Sequence, residues 1–244
     1  MSSLLKLTAA EARLFMRDPT SLVIGLLLPT VILVGLGAVP ILREPSADMG
    51  GVRFVDYFAP SVIVMSVAVI GLTTLPAVMA GYRERGVLRR MRTTPVHPAK
   101  LLAAQLIVNV AAALASALLV VVAGRLAYGV PLPQNPLGFA LAFVLGITAV
   151  FAIGMLVAAV AGTARAASGI STVLFMSVMF FGGVYLPRFM LPDAVARVGD
   201  YVPPGVQTLL DSWNGESPDP VQLLAMAAIA VAAGAASARI FKWE

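Results

Sequence analysis

The sequence predicts an all-α polytopic membrane protein. It has six transmembrane helices, an amino-terminal helix at the membrane surface and a re-entrant outer hairpin between the fifth and sixth spans. Three observations carry that expectation. Only 12% of the 244 residues are charged while 59% are hydrophobic, and the mean hydropathy is +0.93, whereas soluble domains carry about a quarter charged residues. The charges cluster, leaving neutral runs of the length a helix needs to cross hydrocarbon, about 20 residues. Aromatic residues make up 7%, and no alternating pattern of about ten residues recurs, which argues against a membrane barrel.

Residues 1–20 form the surface helix. In "SLLKLTAAEARLFMRDP", Leu4, Leu7 and Leu14 fall near one stripe, Lys6, Arg13 and Arg17 near another, and Pro19 ends the run. That pattern suits a helix lying in the cytoplasmic interface. Glu11 interrupts the apolar stripe, and a short soluble lead-in is the other reading. This polar lead, followed by a span longer than a signal h-region, does not have the form of a cleavable signal peptide.

Residues 21–244 form the six-span unit, with apolar segments at 21–41, 57–81, 101–127, 137–161, 166–186 and 221–238. In the second, Ser66 and Thr73 share a face, and Pro76 is able to kink the helix. In the third, Gln105, Asn109 and Ser116 share a face. The fourth carries small residues every fourth position: Gly138, Ala142, Gly146, Gly154 and Ala158, with Val150 among them and Gly162 beyond. Such a stripe lets another backbone approach closely, and the spacing does not say which. The fifth offers Ser168, Ser171, Thr172, Met176 and Phe180. The sixth is Ala-rich, but "RIFKWE" gives it a basic, Trp-containing end.

Between the fifth and sixth spans lie about 34 residues, 187–220, long for a structureless connection. Two short helices separated by "PPG" are expected, the second with Val206, Leu209, Leu210 and Trp213 on one face. Neither is long enough to span. A hairpin dipping into the outer leaflet, anchored by Trp213 and Tyr201, accounts for this segment, which carries Pro187, Pro192, Pro203 and Pro204.

Basic residues set the orientation. Twelve of the 17 Lys and Arg residues fall on one side, six of them in 81–100, and five on the other. By the positive-inside rule both termini and the 81–100 loop are cytoplasmic. This bias also accounts for the pI near 10.0 without invoking nucleic acid.

No ionisable residue sits well inside a span, which argues against a carboxylate-based pump or channel. Two readings of the mild polarity stay open. Ser66, Thr73, Asn109, Ser168, Thr172, Met176 and Phe180 either line a weakly polar path for an amphipathic substrate, or bond neighbouring helices and their own backbone. Asn109 is the most suspect, an amide being costly to leave unpaired in hydrocarbon. The chain has no cysteine and one histidine, His97, so thiolate and His-pair metal sites are absent. No phosphate-cradling loop ends in Gly-Lys-Ser/Thr. No enzyme, bound cofactor or metal is expected, and any driving energy has to come from elsewhere.

At "YRERGVLRRMRTTPVHPAKLLAAQL", with Glu84, Gly86, Leu88, Arg89, Arg90, Thr94 and Pro95 directly after the second span, the sequence resembles the ABC-2 family of transporter permeases. The small drug-exporting kind typified by daunorubicin-resistance permeases is the nearest in pattern. "FFGGVYLPRFMLP" and "YVPPGVQTLLDSWNG" resemble the family's fifth-span end and re-entrant segment. The resemblance implies a type V exporter half-transporter. Two six-span subunits, here a homodimer or a pair with a second permease, would each dock a separate ATPase subunit that binds ATP and Mg2+. Docking would fall at Arg83, Glu84, Arg85, Gly86, Val87, Leu88, Arg89, Met91 and Arg92 and on the surface helix. The first and fifth spans would line the dimer interface and substrate path. Many members carry further acids where this chain has Arg89 and Arg90. Val87, Leu88 and Met91 read as an apolar ridge flanked by guanidinium groups suited to a partner; topology signalling alone would need no ridge. The expected function is export of a drug, antibiotic or lipid-like amphiphile across the plasma membrane. A lipid-linked polysaccharide is the family alternative, and a scaffold or passive channel the alternative of another class.

Overall fold

The computed structural model describes residues 3–46, 51–91, 97, 99–185 and 190–241. Arg92, Thr94, Pro95 and Pro187, all singled out in the sequence, lie outside these. Every regular element among the described residues is a helix. In order they are α1 (Ser3–Arg17), α2 (Ser21–Gly37), α3 (Phe54–Glu84), α4 (Val87–Met91), α5 (Ala99–Tyr128), α6 (Pro136–Val160), α7 (Ala164–Phe181), α8 (Asp193–Gly199), α9 (Val206–Trp213) and α10 (Pro220–Ile240). The chain is a multi-pass membrane protein: α3, α5, α6, α7 and α10 are long and apolar enough to cross a bilayer, and the bent α1–α2 pair supplies the sixth candidate.

Local chemistry sets the helix ends. The α1 and α2 axes meet at 93°. At the corner the Asp18 carboxylate accepts from the N–H groups of Thr20 and Ser21 (3.1 and 3.3 Å) and from the Ser21 hydroxyl, capping the helical lead that Pro19 and Thr20 make into α2. The Ser21 hydroxyl above all holds the Asp18 carboxyl below its usual range. Asn135, Thr163 and Asp219 cap α6, α7 and α10 in the same way. The first and fifth spans end earlier than hydropathy suggests. Val39 is extended before Pro40, and Gly183, at φ 72°, closes α7 with bonds from Val184 N to Met179 O and from Gly183 N to Phe180 O.

Prolines shape α2 and α3. Residues Ser21–Leu27 in α2 and Val69–Thr74 in α3 are wound as π-helix, each just before a proline, Pro29 and Pro76. A proline ring clashes with the carbonyl four residues back, and a wider turn relieves that clash without breaking the span. Pro76 therefore leaves α3 a single 31-residue helix instead of kinking it sharply. The two widened segments touch, Ile70 lying against Gly25. The Ser116 hydroxyl of α5 donates to Leu26 O within the α2 segment, 3.1 Å, satisfying backbone polarity from a neighbouring helix.

α3 is the innermost helix, with Val62, Ile63, Val64, Ala68, Ile70, Leu72 and Leu75 all buried. It is packed by α2, α5, α6, α7 and α9, while α10 lies along α6 and α1 along α5. The small-residue stripe of α6 is buried throughout. A Cβ on Gly154 would stand 2.0 Å from Gly71 O of α3, and one on Gly146 2.5 Å from Pro204 O. The partners left open by the spacing are thus α3 at one level and the hairpin at another; Gly162 lies beyond the helix.

The hairpin runs down and back beside α6. Pro204 sits at the level of Gly146, ten residues into α6, roughly 15 Å along its axis at 1.5 Å per residue. From Gly205, at φ 76°, α9 climbs until Trp213 O and Ser212 O accept from Gln134 N and Asn135 N at the helix start. Trp213 is not an interfacial anchor. It is buried, its ring edge-on to Phe139 at 5.5 Å, because the apolar face of α9 turns onto α6 and α3. Tyr201 is half exposed.

Replacing Gly154 by Val forces α3 off α6 and is expected to cost about 1–3 kcal/mol, the usual range for overpacking, read as a lower thermal midpoint in detergent. Gly162→Ala, where a Cβ meets nothing within 4 Å, is expected to leave the midpoint unchanged.

Candidate functional site

The basic end of the bundle is built on the last turns of α3. Gly86, at φ 67°, turns the chain between α3 and α4, a conformation only glycine adopts freely. Leu88 is fully buried, and Val87 and Met91 rest against the same core. The apolar ridge therefore faces the protein's own bundle, because a five-residue helix this close to α3 has to bury its apolar side at home. Leu88 offers a partner nothing. Arg83 is tied inward as well, its Nη1 donating to Ala159 O at the end of α6, 3.3 Å. Exposed here are Glu84, Arg85, Arg89 and Arg90, the Arg85 guanidinium lying 5.7 Å from the Tyr82 ring centroid.

α1 is fastened beside this face through its one apparent flaw. Glu11 is buried, at 6% exposure. Its Oε2 accepts from the Tyr82 hydroxyl of α3 at 2.7 Å and from Gln105 Nε2 of α5. Asn109 Nδ2 extends the network to Gln105 O and Oε1, 2.8 and 3.0 Å. Burial pushes the Glu11 carboxyl above its ordinary range, while the bonds from Tyr82 and Gln105 pull the other way. At the start of α1 the Lys100 ammonium donates to the Ser3 hydroxyl, 2.7 Å. Tyr82, Gln105 and Glu11 were missing from the sequence-based docking set. The available signal was that Gln105 and Asn109 share a face while an acid interrupts the α1 stripe.

The seven candidate path residues do not line one cavity. Ser66, fully buried, donates to Ile63 O at 2.7 Å, and Thr73 donates to Val69 O. Asn109 is buried in the Glu11 network with Oδ1 unpartnered. Ser168, Thr172, Met176 and Phe180 instead share the exposed face of α7, where the Thr172 hydroxyl bonds back to Ser168 O, 2.9 Å.

Glu11→Ala removes the shared acceptor of Tyr82 and the buried Gln105 and is expected to cost about 1–3 kcal/mol, against about 0.5–1.5 for Tyr82→Phe, read as faster amide exchange along α1 with α6 unaffected. The raised Glu11 pKa means the seated form binds more protons than the released one. The hold on α1 should therefore be strongest in acid and weaken as pH rises from 4.5 through the raised pKa, in the same exchange measurement.

A family model described as ABC-2 type transporter matches residues 3–204. No curated protein matches the chain. The matched region takes in α1, five spans, the basic face and the descending half of the hairpin. That family's domain is a transmembrane permease component, not itself catalytic, which normally works with an ATPase subunit. The chain belongs to the ABC-2 type transporter family and is a membrane transporter component.

Proposed function

We propose that the chain is the membrane-spanning subunit of an ATP-driven exporter, with the basic face on α3 and α4 as the seat of a separate ATPase. The observation that carries this is mechanical. Arg85 is exposed at the end of α3, and Arg89 and Arg90 on a short helix whose apolar side is packed into the core, so a partner held by those guanidinium groups pulls on α3 itself. α1, held to α3 and α5 through Glu11, forms the adjoining wall. ATP and Mg2+ belong to the partner, and this chain transmits the resulting motion. The basic asymmetry supports a cytoplasmic setting for this end and both termini, and the membrane proposed is the plasma membrane.

The second copy is placed against α7. Its exposed face carries Ser168, Gly169 and Thr172 beside Met176 and Phe180, whereas α5 exposes Leu114, Leu118 and Leu126, a surface made for lipid. Small, weakly polar groups let two helices approach closely, and between them they form a path suited to a drug, an antibiotic or a lipid-like amphiphile. Phe180 is the one aromatic on that face, which favours such cargo over a lipid-linked polysaccharide. The hairpin beside α6, lying within the outer leaflet, closes the far end.

Tagged protein extracted in mild detergent is expected to bring down an ABC ATPase subunit, and none recruited would overturn the reading. Reversing Arg85 and Arg89 to Glu is expected to weaken that association by about tenfold or more, the cost of setting like charges against each other across an interface. Unchanged association and transport would reduce the arginines to a topology signal. Since the chain has no cysteine, Thr172→Cys is expected to give a disulfide-linked dimer on mild oxidation and Leu118→Cys a monomer; the reverse pattern would move the interface off α7.

A further inference from the structure

On the α5, α6 and α10 side a groove of about 520 Å³ opens between the helices, within the range of small-molecule sites, about 300–1,000 Å³. Its walls are Leu106 and Val110 of α5, Phe151 and Met155 of α6 and Gly234 of α10, with Thr148 and Ser237 the only polar side chains among its lining residues. The Thr148 hydroxyl is already bonded to Val144 O, 2.7 Å, and every other lining side chain but Ser237 is apolar. Along α5 the groove runs from Ala99 to Val110, roughly 16 Å at 1.5 Å per residue, which is one leaflet of a hydrocarbon core about 30 Å thick. It begins at the basic end of the bundle, with exposed Arg239 following the lining Ala238 in sequence, and no acidic side chain lines it among the described residues. None of its lining residues belongs to α2 or α7, so it lies apart from the face proposed for the second copy and the cargo.

We propose that this groove holds one acyl chain of an anionic phospholipid from the leaflet at the basic end, its phosphate paired with Arg239. Depth, apolar walls and an exposed cation next in sequence to the lining match that amphiphile part by part. A lipid seated there fills the space between α5 and the packed pair of α6 and α10. Naming the leaflet cytoplasmic rests on the orientation proposed above. The experiment reads retained lipid, not ATPase recruitment, so either reading can fail without the other.

The full chain is reconstituted in vesicles of equal parts phosphatidylglycerol and phosphatidylethanolamine, extracted in mild detergent and weighed by native mass spectrometry. One retained phospholipid per chain is expected, with phosphatidylglycerol enriched about fivefold, the worth of one cation near a membrane surface. Gly234→Leu, at a position where a Cβ meets nothing within 4 Å, fills the groove and should lose most of that lipid. Ala238→Leu, at an exposed lining position, does the same without disturbing a packed one. Arg239→Gln should keep a lipid and lose the preference. Equal retention by the native protein and both filled variants would overturn the proposal. So would a native protein with no preference for phosphatidylglycerol, or a groove found occupied by exported cargo or by a partner's helix.

Discussion

The arrangement depends on one close approach, the carbonyl of Gly71 standing where a side chain on Gly154 would be. α3 is surrounded on all sides, and a helix in that position has to touch a neighbour backbone to backbone somewhere. The stripe of small residues on α6 provides the place. The widened turns of α3 bring Gly71 to it, and Pro76 accounts for the widening. Because α3 is held centrally by this contact, its far end is a firm base for α4 and the arginines around it, and its near end is fixed too. There Arg53 grips Asp56 through two nitrogens, 2.6 and 2.7 Å, and reaches Tyr128 O of α5 with a third. A push at the basic end therefore meets a rod braced at its middle and its other end.

Hydropathy revealed the spans because the bilayer demands runs of a particular length. The right-angle entry of α1 was legible from its two stripes and Pro19. What stayed hidden was direction. Periodicity puts Val87, Leu88 and Met91 on one side of a helix, but a five-residue helix packs against whatever apolar surface is nearest, and here that is the bundle's own. Trp213 was misread for the same reason, an amphipathic helix saying only that one face is covered and not by lipid or by protein.

Polar residues were hardest to place. Glu11 looks like a defect in an apolar stripe because its partners, Tyr82 and Gln105, are distant in sequence, and hydrogen bonding across helices leaves no periodic trace. Ser66 and Thr73 are spent on their own helix backbone. Ser116 serves the Leu26 carbonyl in the π-helical part of α2. The residues that do face outward, Ser168 and Thr172, look identical in sequence to those that do not.

The Glu11 network also constrains the order in which the molecule is made. Its hydrogen bonds join residues separated by 71 and 94 positions. When α1 and α2 leave the ribosome, the carboxylate has no donor to meet and α1 has to stay in contact with water. Only once synthesis has passed Gln105 do both donors exist. α1 thus takes its seat late, after the spans that receive it, and a chain truncated before α5 is left with its first helix undocked.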